Sequence, residues 1–455
     1  MSNSIFNSLT QLDSFFWGYI AFMLIVLLGS YLTIKARFFQ IRAFPSIVKT
    51  FFYFLTNRSS EERGVHPLKA FFASVGGMIG IGNVVGIVTA IQIGGPGALF
   101  WVWMAALVGT VIKYSEIYLG LKYRVKNERG GYDGGPMYFL RNAFNNRWVP
   151  VVIAVLLCIY GVEIYQFVVV TDSIATNFEF NRYAVMMTLL GLVLYASAGG
   201  VSRIGKICSL IMPFFMMLYL SMCIWVISHE MAILPSVLKN VFVSAFSGHA
   251  AVGGFAGSSI LLAIQHGVSR AAYSADIGIG YDSIIQSESN TVYPERQARL
   301  AILGVCIDNL VCTMSILVVL LSGIWKATDP IEASLLVQTV LSGYFPFMHI
   351  FMPIFFFIVG YSTIIAYFCV GIKCARFLYP KYGFPLYIIY GTAMMILFSF
   401  LDQSQALLVM SLSGAALLII NLLGIFMLRH QIIFASENVS DTLSIEDLDL
   451  VPVHE

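Results

Sequence analysis

The stretch GGMIGIGNVVG, residues 76–86, lies in a segment apolar enough to cross a membrane, yet it holds five glycines and an asparagine. Glycine inside a helix costs about 1 kcal/mol relative to alanine. Backbone that unwinds in the hydrocarbon layer persists only where protein or a watery cavity satisfies its polar groups. Unwinding frees carbonyls for a cation and N–H groups for a carboxylate. The stretch therefore predicts a discontinuous helix with an ion and substrate site; the alternative is that its glycines only permit close helix packing.

The composition predicts an all-α polytopic membrane protein. Of the 455 residues, 58% are hydrophobic and 11% are charged, against roughly 25% charged residues in soluble domains. The net charge is +2, and the basic residues are spread along loops, so we expect no nucleic-acid partner. The 7 cysteines lie singly, without metal-ligand or redox spacing, and are interpreted as packing residues. The N-terminus lacks the basic region of a signal peptide, so the first apolar run is expected to be a retained helix.

Apolar runs of about 20 residues, the length that spans a bilayer, recur along the chain. They predict ten clear spans, near residues 15–34, 68–92, 98–121, 149–171, 183–200, 204–228, 298–324, 347–372, 385–402 and 406–428. A further segment, residues 250–285, is apolar on average but is interrupted by glycines, Arg270 and Asp276. We interpret it as a broken helix, which gives about 11 spans.

The lysines and arginines of the loops predict the orientation. If the C-terminus is cytoplasmic, the external loops receive only Arg182, Lys239 and Lys326, and all other basic loop residues lie inside, as the positive-inside rule requires. The N-terminus is then external. The segment after residue 428 is acidic and is expected to be a disordered cytoplasmic tail.

A second glycine-rich break, DIGIGYDS at residues 276–283, matches the first break, MIGIGN at residues 78–83. Each break begins a block of five predicted spans, and because five is odd the two blocks run in opposite directions through the membrane. This arrangement is typical of inverted-repeat transporters. The predicted divisions are an extra helix with a basic loop (1–67), a first repeat (68–228), a second repeat (245–428) and the tail (429–455).

Several longer motifs resemble the alanine or glycine:cation symporter family, the sodium:alanine symporters. They are GNVVGIVTAIQIGGPGALFWVWMAALVGTVIKYSEIYLGLKYR (82–124), GGYDGGPMYFL (130–140), GGVSRIGK (199–206), AFSGHAAVGGFAGSS (245–259), YPERQARLAILGVCIDNLVCT (293–313) and YSTIIAYFCVG (361–371). The resemblance covers nearly the whole chain. It implies a LeuT-type fold of 5+5 helices in inverted repeat, preceded by one extra helix. It also implies import of small neutral amino acids coupled to sodium, or sometimes to protons, across a bacterial or archaeal plasma membrane.

The resemblance also implies where sodium binds. Aligning GIGN (80–83) with the corresponding GLGN of the LeuT-type fold implies a cation site formed by the carbonyls of Gly76, Ile79 and Val359 and the hydroxyls of Ser362 and Thr363. These are hard oxygen donors of the kind that sodium requires. In the alternative interpretation, the Ser-Thr pair only caps the backbone of its own helix.

The substrate would contact both breaks and two further helices. The expected binding residues are Gly80, Gly82, Asn83, Gln166, Asp276, Ile277, Gly278 and Tyr367. Asn83 offers an amide oxygen to a cation and an amide N–H to a carboxylate. The family resemblance implies that Gln166 hydrogen-bonds the zwitterion, whereas a polar link between helices is the alternative role for this side chain.

Two departures from the family pattern affect the expected pocket. The family's Ser-Asn-Glu-Ala-Gly-Met-Gly run is SADIGIG (274–280) here, so Ala275 and Asp276 replace asparagine and glutamate. A tryptophan is replaced by Tyr367. Alanine or glycine therefore does not carry over directly as the substrate.

Charges within the spans are costly and are expected to face the protein interior or a cavity. Glu163, Asp276 and Asp308 are of this kind. Asp276 is interpreted as a partner for the substrate amine or for a proton, or as a structural residue. The spacing of Lys113 and Glu116 on one helix predicts an ion pair between them.

Sodium-coupled symport is the function that these patterns favour, with proton coupling through Asp276 as the alternative. A non-transporting amino acid sensor would need an added signalling domain. A membrane enzyme would need paired metal ligands or a catalytic triad, and the 7 scattered histidines suggest neither. Besides the amino acid and the coupling ion, only membrane lipid is expected as a partner, with no obligate protein partner.

Overall fold

The structure is a computed structural model, and it describes residues 3–56, 63–247, 260–326, 333–400 and 403–435. The first helices precede the two repeats. A long N-terminal rod consists of α1 (Asn3–Phe15), a π-helical turn (Phe16–Ala21) and α2 (Phe22–Lys35). Two short helices, α3 (Phe39–Arg42) and α4 (Phe44–Thr56), then lead toward the first repeat.

The first repeat contains the first predicted break. Its elements are α5 (Pro67–Met78), a 3₁₀ turn (Ile81–Asn83), α6 (Thr89–Gly94), α7 (Ala98–Lys122), β1 (Val125–Lys126), β2 (Tyr132–Asp133), α8 (Pro136–Phe144), α9 (Trp148–Tyr160), α10 (Ile164–Asn177), α11 (Arg182–Ser197) and α12 (Gly200–His229). Helix α5 begins sharply because Pro67 occupies its first turn, where no backbone N–H is needed, and His66 Nδ1 accepts a hydrogen bond from Leu68 N.

The second repeat contains the second predicted break. Helix α13 (Leu234–Ser247) lies mostly before the predicted start of this repeat at residue 245. The elements that follow are α14 (Ile260–Ser274), α15 (Tyr281–Gln286), α16 (Pro294–Ser322), a 3₁₀ turn (Ile324–Lys326), α17 (Ala333–Ser342), α18 (Met348–Leu378), α19 (Gly383–Phe398), α20 (Gln403–Met427) and a 3₁₀ turn (Arg429–Gln431). Residues 248–259, the start of the predicted eleventh span and part of the motif at 245–259, lie outside the described residues. So do residues 436–455, most of the predicted tail.

Among the described residues, 7 helices are long and apolar enough to cross a membrane. They are joined by the shorter apolar helices α11 and α19 and by the two interrupted segments, α5–α6 and α14–α15. The predicted all-α architecture with two discontinuous helices is confirmed, and the number 11 stays a prediction. A third break was not predicted: α9 and α10 are separated at Gly161–Glu163, where Glu163 takes the left-handed conformation with φ 54°.

One end of the bundle, which we call the hairpin end, is closed by a polar network around the β1–β2 hairpin. Lys373 at the end of α18 contacts Asp133 at 2.9 Å and Glu288 at 2.7 Å. Val65, just before α5, forms a parallel bridge with Ser289, just after α15. The two interrupted helices are therefore joined to each other at this end.

The hairpin ion pair predicts a specific pH response. Burial raises the pKa of Asp133, but the Lys373 ammonium, the Asn127 side chain and the Arg129 guanidinium together hold this pKa below its usual value. A depressed carboxyl pKa contributes stability above the unfolded value of about 3.9 and loses it as the pH falls through the folded value. The closure should therefore be unchanged between pH 8 and pH 5.

Asp133→Asn, in contrast, should speed amide hydrogen exchange of the hairpin throughout that pH range, because Lys373 loses one of its two carboxylates. The control is Glu128→Gln, an exposed residue of the same hairpin. A hairpin that loosens in wild-type protein at pH 5 would contradict this account.

Candidate functional site

The first break releases the backbone carbonyls that a continuous helix would use. The N–H of Gly80 donates to Asn83 Oδ1 at 3.0 Å instead of to the Gly76 carbonyl. The N–H of Asn83 donates to the Gly80 carbonyl at 3.2 Å instead of to Ile79. In α-helical pairing each carbonyl accepts from the residue four positions on. Gly76 and Ile79, two of the expected cation ligands, therefore have carbonyls free of that pairing.

Helix α18 brings the other expected cation ligands to the same place. Thr363 Oγ1 donates to the Gly76 carbonyl at 3.3 Å and lies 3.0 Å from the Val359 carbonyl. Ser362 Oγ donates to the Val359 carbonyl at 2.8 Å. The Ser362 hydroxyl therefore caps its own helix, as in the alternative interpretation. Thr363 has one proton for two carbonyls within reach, and its bond to Gly76 joins α18 to the first break. Oxygens from both helices thus lie within hydrogen-bond distance of one another.

Gly80 lies where these groups meet the substrate residues. A methyl group placed on it would lie 2.7 Å from both Thr363 Oγ1 and Gln166 Oε1. Gln166 Oε1 accepts from the N–H of Ile81 at 3.3 Å, and Gln166 Nε2 donates to Glu163 Oε1 at 2.8 Å. Gln166 therefore links α10 to the unwound backbone of the first break.

A small central cavity of about 20 Å³ opens beside Gly80, which is room for about one water molecule. It is lined by Gly77, Met78, Gly80, Gly82, Asn83, Tyr160, Glu163, Tyr165, Gln166, Tyr273, Ser274, Thr363 and Tyr367. Glu163 Oε2 is buried and has no hydrogen-bond partner within the described part of the chain. The sequence marked Glu163 only as a costly charge, and its left-handed position at the third break carries it to this cavity.

The second break differs from the first in where its side chains lie. Asp276, Gly278 and Gly280 all have positive φ angles, 51°, 76° and 107°. Ile277 is fully buried and packs against Gly109 of α7, and the Gly278 carbonyl accepts from Asn421 Nδ2 at 2.9 Å. Asp276, Ile277 and Gly278 do not line the central cavity. Their assignment to the substrate remains a prediction.

Lys113 of α7 holds this second break in place. It pairs with Asp276 at 3.4 Å and, more closely, with Asp282, and it donates to the Asp276 carbonyl. All three side chains are almost completely buried. Ser74 of α5 donates to Asp282, so one cluster connects both interrupted helices.

The predicted Lys113–Glu116 ion pair is wrong. Lys113 pairs with Asp276 and Asp282 instead. Neither carboxylate oxygen of Glu116 has a hydrogen-bond partner among the residues that the structure describes. Spacing along α7 placed Lys113 and Glu116 on one face, but the aspartates of the unwound segment reach the ammonium instead.

Two more expected binding residues have protein partners. Asn83 Nδ2 donates to Asp308 and contacts Cys312 Sγ at 3.4 Å, so its amide serves the break itself. Tyr367 lines the cavity, donates to Asp276 Oδ1 at 2.8 Å and stacks on Tyr281 with ring centroids 4.0 Å apart. Asp276 is thus connected to the cavity wall through Tyr367.

Comparison with known proteins identifies the family of this chain. The model of the sodium:alanine symporter family matches residues 2–445. This chain belongs to the sodium:alanine symporter family. It is 30% identical over 457 residues to an uncharacterized transporter of Haemophilus influenzae, with 98% of each chain covered. It is 31% identical to the sodium/alanine symporter AgcS of Methanococcus maripaludis, covering 82% of this chain and 84% of AgcS.

Relatives within the family are named for different amino acids. The probable sodium/glutamine symporter GlnT of Bacillus subtilis is 29% identical, with 92% of this chain and 87% of GlnT covered. Membership in the sodium:alanine symporter family makes the chain an integral membrane protein and indicates transport rather than catalysis.

Solved structures show the fold. The crystal structure of MhsT in complex with L-phenylalanine matches with a TM-score of 0.58 at 15% identity, covering 81% of this chain and 90% of MhsT. A nucleobase-cation-symport-1 family transporter in a closed conformation matches with a TM-score of 0.51 at 13% identity, covering 75% and 73%. This member of the sodium:alanine symporter family has the LeuT fold.

Proposed function

We propose that the protein imports a small neutral amino acid together with sodium by alternating access. The observation that carries this proposal is the set of oxygens at the first break. The Gly76 and Ile79 carbonyls are free of α-helical pairing, and Thr363 reaches Gly76 from α18. Sodium bound there would join α18 to the break, so the cation would favour the conformation that also holds the amino acid.

The amino acid would bind next to this site, in an expanded form of the central cavity. Its carboxylate would be bound at the first break, where Gly80 and Gly82 allow close approach. Its ammonium would face Glu163, whose Oε2 is buried without a partner among the described residues. Tyr367 would form the side-chain end of the pocket, with Asp276, Ile277 and Gly278 supporting it from behind.

The loop charges support an orientation of the protein in the membrane. By the positive-inside rule, we expect the hairpin end in the cytoplasm and the start of α1 outside, in a plasma membrane. With the hairpin end closed and the central cavity almost filled, we infer a state in which the cytoplasmic exit is shut. The two repeats, 68–228 and 245–428, would move relative to one another to open it.

The experiment is uptake of labelled alanine into liposomes that contain the purified protein, with and without an inward sodium gradient. Unlabelled glycine, serine, glutamine and larger amino acids serve as competitors. We expect uptake to require sodium and to be inhibited best by the true substrate. No uptake of any small neutral amino acid would overturn the proposal.

Proton coupling is the second candidate, favoured by the unpartnered Glu163 oxygen beside the cavity. Uptake that persists without sodium, follows an imposed pH gradient and is lost in Glu163→Gln would support it. Uptake that follows only the sodium gradient would exclude it.

A further inference from the structure

A second and much larger cavity lies between the N-terminal rod, α14 and α20. Its volume is about 550 Å³, within the range of about 300–1,000 Å³ that is typical of small-molecule sites. The side chains that matter for its chemistry are Asp13, Trp17, Gln265, Arg270, Tyr273 and Ser411. We call it the outer cavity, because it lies toward the end of the bundle opposite the hairpin.

The outer cavity carries one charge of each sign. Asp13 comes from α1 and Arg270 from α14, and both residues line the cavity. The structure records no direct ion pair between the two side chains within the described residues. A cavity with separate positive and negative walls is complementary to a zwitterion.

Two polar atoms of the outer cavity lack hydrogen-bond partners among the residues that the structure describes. Gln265 is only 7% exposed, and its Nε2 has no hydrogen-bond partner in the described part of the chain. The same holds for Asp13 Oδ1. Burying such groups unpaired is costly, so a ligand that accepts from Gln265 and donates to Asp13 would relieve both.

The outer cavity adjoins the central cavity. Tyr273 lines both of them. Its ring meets Trp17 edge to face, with ring centroids 6.0 Å apart. Trp17 is itself fixed, because its Nε1 donates to the Ser411 carbonyl at 3.2 Å and its carbonyl accepts from Ser269 at 2.8 Å. Tyr273 therefore forms part of the partition between the two cavities.

We propose that the outer cavity is a second binding site for a zwitterionic amino acid. Its carboxylate is bound by Arg270 and Gln265 Nε2, and its ammonium by Asp13. This inference rests on the proposed function, because the ligand passes Tyr273 to reach the central cavity. The large volume accepts bigger side chains than the central cavity, so the outer site binds a wider range of amino acids than the protein transports.

The test compares Asp13→Asn and Arg270→Gln with wild type in oriented liposomes and in detergent, using labelled alanine. The matched control is Asp172→Asn, which removes the carboxylate of the partly exposed Asp172–Arg182 pair outside this cavity. We expect wild-type protein to bind two alanines in sodium. Each cavity variant should bind one, with KM from the outer side raised on the order of tenfold.

Transport from the hairpin side separates a binding role from a structural one. In both cavity variants, KM measured from that side and the melting temperature should stay at wild-type values. One alanine per wild-type protein, or an unchanged outer KM in both variants, would overturn the outer site while leaving sodium-coupled uptake intact. Absence of sodium-coupled uptake in wild type would instead overturn the proposed function, and with it this inference.

Discussion

Replacing Lys113 with methionine is expected to lower the free energy of unfolding by about 3–5 kcal/mol. The lysine is the ammonium that faces two buried carboxylates, Asp276 and Asp282. Without it, both carboxylates lose their counter-charge in a region where water does not compensate. Thermal unfolding in detergent or nanodiscs, monitored by far-UV circular dichroism, measures the loss.

The aspartates provide the internal check. Adding Asp282→Asn to Lys113→Met should restore part of the stability, because it removes one of the two unpaired charges. Lys122→Met on the same helix is the control, since Lys122 is exposed and a surface change of this kind costs about 0.5 kcal/mol or less. Equal melting of the Lys113 and Lys122 variants would show that the cluster does not stabilise the break.

Gly80→Ala is expected to abolish sodium-dependent transport. The added methyl group lies 2.7 Å from Thr363 Oγ1 and from Gln166 Oε1, so one hydroxyl must leave the Gly76 carbonyl and one amide must leave the Ile81 N–H. Losing neutral hydrogen bonds of this kind costs about 0.5–1.5 kcal/mol each, or on the order of 10- to 100-fold in affinity for the two together. Sodium-induced thermal stabilisation should disappear together with uptake.

Gly82→Ala is the matched change two residues along the same break. A methyl group there meets no atom within 4 Å. It should therefore keep sodium-induced stabilisation, although it narrows the cavity for the amino acid. If both alanine variants respond to sodium equally, the position of the cation site at Gly80 and Thr363 is wrong.

The sequence predicted the interrupted helices but not their contacts. Repeated glycines at 76–86 and 276–283 are a local property, and both breaks are where that pattern placed them. The break at Gly161–Glu163 has a single glycine and no repeat. The apolar run around this break was therefore predicted to be one continuous span. The start of helix α8, in contrast, could have been predicted from the sequence, because Pro136 follows two glycines and begins the helix.

The site's polar partners could not be predicted, because they depend on which distant segments meet. The spacing along the helix predicted an ion pair between Lys113 and Glu116. In the folded chain, Lys113 pairs with Asp276 and Asp282 instead. Asn83 lines the central cavity, as a ligand-facing residue should, but its hydrogen bond to Asp308 was not predicted. Asp13 and Arg270 lie far apart in the chain, and only the fold brings them to one cavity.

The most direct test of a sodium site between the first break and α18 is the sodium dependence of alanine uptake in Thr363→Val. This variant keeps the shape of the side chain but removes the hydroxyl that contacts Gly76. The control is Thr171→Val, another buried threonine in a spanning helix, whose hydroxyl donates to Phe167 of its own helix. We predict that half-maximal uptake requires on the order of tenfold more sodium in Thr363→Val and an unchanged sodium concentration in Thr171→Val. Identical sodium dependence in the two variants would contradict the account.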